Sequence, residues 1–471
     1  MNKNTKELLF LPLGGAGEIG MNLNLYGYGA PGRETWMMVD LGITFGDGSM
    51  PGVDVIMPDP AYIEERRDRL AGLVLTHAHE DHLGAVPHLW RRLRCPIYAT
   101  PFTAAILAHK LKEAGIGQEA EVIIVPLKGK FSVGPFDLEL ITLTHSIPEP
   151  NAIVIRTPVG TILHTGDWKF DPDPVVGEAA DEDALRRIGD AGVLAMVCDS
   201  TNVFSPGDSG SEADLLASLT ELILARKNRV AVACFASNVA RMETIARAAE
   251  AAGRDVVLAG RSLQRFDQAA RDNGYMTGVR TFLEEEDAGF LPKDKTLIIC
   301  TGSQGEPRAA LSRIASGDHS NVTLGAGDTV IFSSKIIPGN EISIGRLHND
   351  LVRLGVEVMT EREHFVHVSG HPARDELIRM YRHVRPEIAV PIHGEIRHLM
   401  ENAHLAGDCR VGQTVVSENG GMIRLSPGPA RVIDHVSSGR LALDGERLVP
   451  LEGELFRERK RTLWNGHAVV S

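Results

Sequence analysis

The run His77-Ala78-His79-Glu80-Asp81-His82 puts three imidazoles and two carboxylates on one short loop. Imidazole and carboxylate are the ligands that borderline divalent ions such as zinc prefer. A loop leaving the apolar run LAGLVLT can turn His77 and His79 toward one ion. Asp81 and His82 can then serve a neighbour about 3.5–4 Å away, the spacing of two-metal hydrolases. A histidine-rich surface loop is the bland alternative, but it does not account for further ligand types that close apolar runs downstream. His145 in TLTHS, Asp167 in HTGD and His393 in PIHGE each do so. The expected division gives His77, His79 and His145 to a first metal, Asp81, His82 and His393 to a second, and Asp167 to both. Asp40, ending MMVD, is expected to orient a ligand histidine from behind.

Other residue groups have two readings. His371 in HVSGH could donate a proton to a departing oxygen; it and Asp199 in CDSTN could equally be hydrogen-bonding residues at a domain junction. Ser237 and Asn238 in FASN lie between a buried strand and a helix, where they suit a phosphate or serve as a plain N-cap. GGAGEIG lacks the following helix that a phosphate-cradling loop needs, so it reads as a tight structural turn. His88, His109, His164, His348, His364 and His398 have no comparable spacing and read as surface or packing residues. Arg241, Arg261, Arg265, Arg308 and Lys335 fall near loop ends, where a nucleic-acid backbone could be touched, although a solvated face is the default for each.

The elements that must position these groups change in character along the chain. The first two hundred residues read as short strands with few helices: ELLFLPL, MNLNLYGYG, TWMMVDLG, LAGLVLTHAH, FDLELITLTHS and the hairpin NAIVIRTPVGTILHTGD, with PFTAAILAHKLKEAG the clearest helix. Candidate functional residues fall at strand ends, along one edge of a sheet sandwich. From about residue 210, strand and helix alternate strictly to about 358, implying a parallel sheet covered on both faces. The expected organisation is 1–209 for the first domain, 210–358 for the second, 359–435 for completion of the first, and 436–471 as a linker and the start of a C-terminal domain.

Bulk properties agree with a globular chain. It has 471 residues, 43% hydrophobic and 24% charged, with 48 Gly and 25 Pro. No apolar run approaches the roughly 20 residues that cross a bilayer. Five scattered cysteines with no CxxC spacing fit a reducing compartment, so a cytoplasmic location and no membrane partner are expected. The formal charge of −13 argues against broad duplex binding, but bound divalent ions would invert the local sign in an acidic site.

DLG, HAHEDH, His145, TGD and the late His393 together resemble the metallo-β-lactamase superfamily, and the long insertion between Asp167 and His393 resembles a β-CASP domain. GGAGEIGMN, THAHEDHLGAVP, HSIPE, CDSTN, FASN, GRS, TGSQGEP, IPGNE, HVSGH and HGE resemble bacterial ribonuclease J, from about residue 7 to 435. The resemblance implies an α/β fold: an αββα metallo-β-lactamase sandwich with an inserted parallel α/β β-CASP domain. It implies a 5′→3′ exonuclease and endonuclease on single-stranded RNA, in RNA processing and mRNA and rRNA turnover. Two Zn2+ per chain, or Mn2+ or Mg2+, would drive the hydrolysis. His371 and Asp199 become catalytic candidates beside Asp81, and Ser237, Asn238, His367, Ser369, Gly370 and His371 resemble a pocket for a 5′-monophosphate. A homodimer or tetramer is implied. Two departures stand out: the chain stops where such proteins carry a further domain, and FASN is followed by Val239-Ala240-Arg241 without the histidine often found there. Competing classes are a small-molecule hydrolase of lactamase or thioesterase type and a weakly active subunit of an RNA-processing complex; a large inserted domain and a full ligand set argue against both.

Overall fold

A computed structural model describes residues 6–46, 50 and 52–466; the apolar end of the tail, 467–471, lies outside them. Two sheets pack face to face. The eight-stranded one runs, in spatial order, Arg431–His435, Gly421–Ser426, Glu7–Gly14, Leu23–Gly29, Thr35–Val39, Leu70–Val74, Ile97–Ala99 and Val122–Ile124. The seven-stranded one runs Lys130–Val133, Phe136–Thr142, Asn151–Thr157, Gly160–His164, Ala195–Asp199, Ile388–Ile392 and Gln413–Thr414.

Side-chain alternation explains the layering. Leu8 and Phe10 enter the core between the sheets, whereas Leu9, Leu11 and Leu13 face outward into a second core. In the other sheet Ile153 and Ile155 point inward, and Ala152 and Val154 outward. Strands buried on both faces need helices outside. Val86–Leu93 and Pro101–Glu113 cover one outer face; Glu182–Ala191, Arg374–Val384 and Ile396–Asp408 cover the other. Each fully buried Leu or Ile contributes about 1.5–3 kcal/mol. The result is an αββα sandwich.

The reading of few early helices missed Val86–Leu93 and Glu182–Ala191. Both carry signals: Val86, Leu89, Trp90 and Leu93 share one buried stripe, and Asp181 caps the second helix by accepting from Ala184 N at 2.9 Å.

The inserted domain holds a five-stranded parallel sheet, ordered Asp255–Ala259, Thr296–Cys300, Val230–Ala233, Thr329–Phe332 and Glu357–Met359. Its last strand runs across residue 358. The chain then returns to the sandwich, where Ile388–Ile392 pairs in parallel with Ala195–Asp199 and sets Ile392 opposite Asp199.

One boundary needs correction. Residues just beyond 436 do not form a linker: Arg440–Asp444 and Arg447–Pro450 extend a sheet with Val55–Pro58 and Thr44–Phe45 on the sandwich itself. Ala442 and Phe456 are buried with Met21, Val53 and Ile56, and that apolar seat anchors the segment. Alternation in RLALDGERLVP, with its central Asp-Gly, was the sequence signal for this hairpin.

Candidate metal centre

Strand ends deliver the candidate residues to one edge of the sandwich. His77, His79, His145 and Asp167 offer ligand atoms within 4.8 Å of one another, as do Asp81, His82, Asp167 and His393. Asp167 is common to both groups. A third group, Asp199, His371 and His393, adjoins the second.

The backbone is shaped for this. Asp40 sits at φ 63° just past its strand, accepting Thr76 N and Thr76 Oγ1, each at 2.8 Å, and His82 Nδ1 at 2.7 Å. His82 Nε2 then faces Asp167 Oδ2 at 3.1 Å. His393, at φ 52°, donates its backbone N–H to Gly15 O at 2.6 Å, so the GGAGEIG turn seats this late residue. A Cβ on Gly14 would fall 2.0 Å from Met21 O, which explains the glycine in so tight a turn. His393 Nε2 lies 3.2 Å from Asp81 Oδ2 and 3.5 Å from Asp167 Oδ1.

Two observations fit this donor set to cations. His79 Nδ1 lies 3.1 Å from both His77 Nε2 and His145 Nε2. His145 donates Nδ1–H to Gly370 O at 2.5 Å, so when neutral its Nε2 presents a bare lone pair. Converging lone pairs repel unless a positive centre lies between them. Asp167 Oδ1, meanwhile, is buried with no hydrogen-bond partner among the described residues, an uncommon cost for a carboxylate.

Electrostatics of the protein groups divide the centre. Burial first, then neighbouring imidazoles, push His77 well below its ordinary value. Burial brings His79 down to about 4 and lowers His145 as well. Those rings are neutral donors. Burial also opposes charge on His82 and His393, but carboxylates prevail: Asp167, Asp81 and Asp40 raise His82 well above its ordinary value, and Asp167 with Asp81 and Asp199 lifts His393 to about 9. Asp81 and Asp167 stay ionised despite burial, held down chiefly by His82 and by His393 respectively. A divalent ion held there would take the place of the protons on His82 Nε2 and His393 Nε2.

Beyond the ligands, His371 donates Nδ1–H to Asp199 Oδ2 at 2.8 Å. Burial disfavours its charged form, but Asp199 and Asp167 overcome that and raise it. No protein group among the described residues hydrogen-bonds its Nε2. Ser369 Oγ accepts from Asn202 Nδ2 at 2.6 Å and from His371 N at 3.1 Å, fixing the HVSGH strap. His367 is kept neutral by burial and by Arg241, Lys335 and Lys169. Asn238 caps its own helix, its Oδ1 accepting from Arg241 N at 2.9 Å, so that oxygen is committed.

Arg241 departs from the expectation of a nucleic-acid contact. It is fully buried, pairs with Glu212 at 2.5 Å and donates to Ser333 O at 2.7 Å and Val366 O at 3.3 Å. Arg265 and Arg308 pair with Glu113 and Asp54, while Arg261 and Lys335 are exposed. Thr201, Asn202 and Lys169 belong to the surroundings of the centre and were not singled out from sequence. The Asp-Ser-Thr run after a strand is an Asx-turn signal that points to Thr201, whose N–H donates to Asp199 Oδ1 at 2.8 Å.

Known proteins resemble the chain at both levels. Family models match for the metallo-beta-lactamase superfamily over residues 27–233, the ribonuclease J beta-CASP domain over 227–351 and the Zn-dependent metallo-hydrolase RNA specificity domain over 355–408. A protein named ribonuclease J from Sinorhizobium meliloti is 48% identical over 466 residues, covering 99% of this chain and 83% of that protein. One from Thermus thermophilus is 36% identical over 470 residues, covering 98% and 81%. A solved protein of unknown function from Enterococcus faecalis shares the fold, with a TM-score of 0.60 at 18% identity over 89% of this chain and 100% of that one. Identity of 48% across nearly the whole length, with a ribonuclease J beta-CASP model matching the inserted domain, leaves one conclusion: the chain belongs to the ribonuclease J family.

Proposed function

We propose that the chain is a metal-dependent ribonuclease that hydrolyses single-stranded RNA from a 5′-monophosphorylated end in the 5′→3′ direction, and also cuts internally. The observation that carries this reading is the Asp167 carboxylate, shared by two ligand groups beside the His371–Asp199 pair. His77, His79, His145 and Asp167 would hold one zinc ion, and Asp81, His82, Asp167 and His393 a second. Bound there, the ions supply Lewis acidity that acidifies water and offsets charge on the phosphoryl oxygens.

The chain's own residues do the rest. Asp40 fixes the tautomer and tilt of His82. Asp199 holds Nδ1 of His371 and favours its protonated form, so Nε2 can pass a proton to the departing 3′ oxygen. His367, Ser369, Gly370, His371, Ser237 and the backbone at Asn238 form the reading for a terminal phosphate, supported by the exposed cation Lys335, whose charge bears on His367. The division at 1–209, 210–358 and 359–435, with residues 440–450 added to the sandwich, is the domain organisation that goes with this. Five free cysteines and an RNA substrate favour the cytoplasm, and assembly into dimers or tetramers is read by light scattering.

The decisive experiment uses RNA labelled at its 3′ end and carrying a 5′-monophosphate or 5′-triphosphate, with single-stranded DNA and His77→Ala as controls. Mononucleotides released faster from the monophosphate, and lost in the variant, support the proposal. Internal cuts indifferent to the 5′ end keep the nuclease and remove the phosphate pocket. Inertness toward both polymers by zinc-loaded protein overturns the reading.

A further inference from the structure

One hydroxyl ties the two halves of the centre together. Thr201 Oγ1 lies 2.9 Å from His393 Nδ1 and 2.7 Å from Asp199 Oδ1. Asp199 Oδ2, the other oxygen of that carboxylate, accepts from His371 at 2.8 Å. Asp199 is fully buried, Thr201 N also donates to its Oδ1 at 2.8 Å, and Asn402 Nδ2 donates to its backbone oxygen at 3.3 Å.

Proton counting orders this chain. His393 Nε2 faces Asp81 and Asp167, so Nε2 is the nitrogen that a cation would take, and the one ring proton left would then reside on Nδ1. A hydroxyl has one proton to give. Nδ1–H therefore donates to Thr201 Oγ1, and Thr201 donates to Asp199 Oδ1, leaving Oδ2 for His371. The neighbouring His393 O, at 3.1 Å, cannot be served by the same proton.

We propose that Thr201 is a positioning residue that locks His393 in its Nδ1–H tautomer and aims Asp199 at His371. Cation binding at the second ligand group and proton delivery to the leaving oxygen are thus set by one side chain. The inference rests on the ribonuclease reading for its catalytic half only. Serine keeps the hydroxyl, whereas valine matches threonine in shape and cannot accept or donate.

The test compares Thr201→Val with Thr201→Ser in the full chain, after thermal unfolding establishes that both fold. Zinc affinity is read by competition with a chromophoric chelator, without RNA. The expected result is that Thr201→Val weakens the second zinc by about tenfold to a hundredfold and leaves the first unchanged. At saturating zinc, kcat on 5′-monophosphorylated RNA falls at least tenfold with KM within twofold. Thr201→Ser restores both. Unchanged zinc affinity in Thr201→Val, or failure of Thr201→Ser to restore it, overturns the proposal. Loss confined to KM would also overturn it, since a gap in the RNA path would then be the cause. If wild-type protein cleaves no RNA, the ribonuclease reading fails, and the zinc competition still decides on Thr201.

Discussion

Replacing Arg241 with methionine separates a structural cation from a substrate contact. Both partners are out of solvent, with side-chain exposures of 0% for Arg241 and 7% for Glu212. Nε and Nη2 reach the two Glu212 oxygens at 2.5 and 3.0 Å, and Nη1 donates to Ser333 O at 2.7 Å. Methionine fills the space of the stem and leaves Glu212 charged, buried and unpaired. Removing one partner of such a pair costs about 3–5 kcal/mol. A tenfold change in an opening equilibrium is about 1.4 kcal/mol, so local opening becomes roughly a hundred to several thousand times more frequent. The assay is amide hydrogen exchange followed by mass spectrometry on peptides spanning Val239–Ala251 and residues 366–371, with Pro101–Glu113 as an internal reference. Protection should collapse in the first two and persist in the third. Adding Glu212→Leu removes both charges and should recover most of it. Unchanged protection in Arg241→Met, combined with weaker RNA binding and a shallower salt dependence, would refute this account and return Arg241 to the role of phosphate contact.

Three further outcomes follow from the same geometry. On the proposed function, His371→Ala should bind zinc as tightly as wild type and lose about 10²–10⁴-fold in the single-turnover RNA cleavage rate; weakened zinc binding instead would make it a ligand. Asp40→Ala removes the acceptor of His82 Nδ1 and of two Thr76 donors, so zinc affinity should drop about tenfold to a hundredfold by chelator competition, with no change speaking against an orienting role. Asp171 is the pH probe: burial raises its carboxyl, but Lys169 at 2.9 Å together with Ser211 and Glu212 N–H lowers it below 3.8 overall. A carboxyl depressed in the fold contributes stability that is present above its unfolded value and lost as pH falls through the folded one. Asp171→Asn should therefore destabilise the protein at pH 7, with the gap from wild type closing below about pH 4 in urea titrations; a gap that persists at low pH would refute the assignment.

The candidate ligands, which the fold brings within 4.8 Å of one another, could be read from sequence because HAHEDH gathers four donors on one loop and His145, Asp167 and His393 each close an apolar run. His393 was legible for the same reason, despite the inserted domain before it. Asn202 and Glu212 were not, because their partners lie far along the chain: Asn202 binds Ser369, and Glu212 binds Arg241. Such pairings are created by packing and leave no local periodicity. Arg241 shows the converse error. Beside a loop end, an arginine looks solvated until the fold places a buried carboxylate against it. The sandwich itself was readable in its strands, but doubly buried strands such as Asn151–Thr157 reveal their outer helices only through weaker stripes like Val86, Leu89, Trp90 and Leu93.

Ile388–Ile392 sits inside its sheet, between Ala195–Asp199 and Gln413–Thr414, and so constrains the order in which the molecule is made. During synthesis the His77, His79, His145 and Asp167 group is complete once residue 167 has left the ribosome. The Asp81, His82, Asp167 and His393 group must wait for residue 393. At about 5–20 residues per second, that delay is on the order of 10–50 s. Within it the strands of the inserted sheet, Val230–Ala233 to Glu357–Met359, are made while the sandwich still lacks the interior strand Ile388–Ile392. A growing chain therefore carries the first ligand group complete and the second still open until residue 393 has been added.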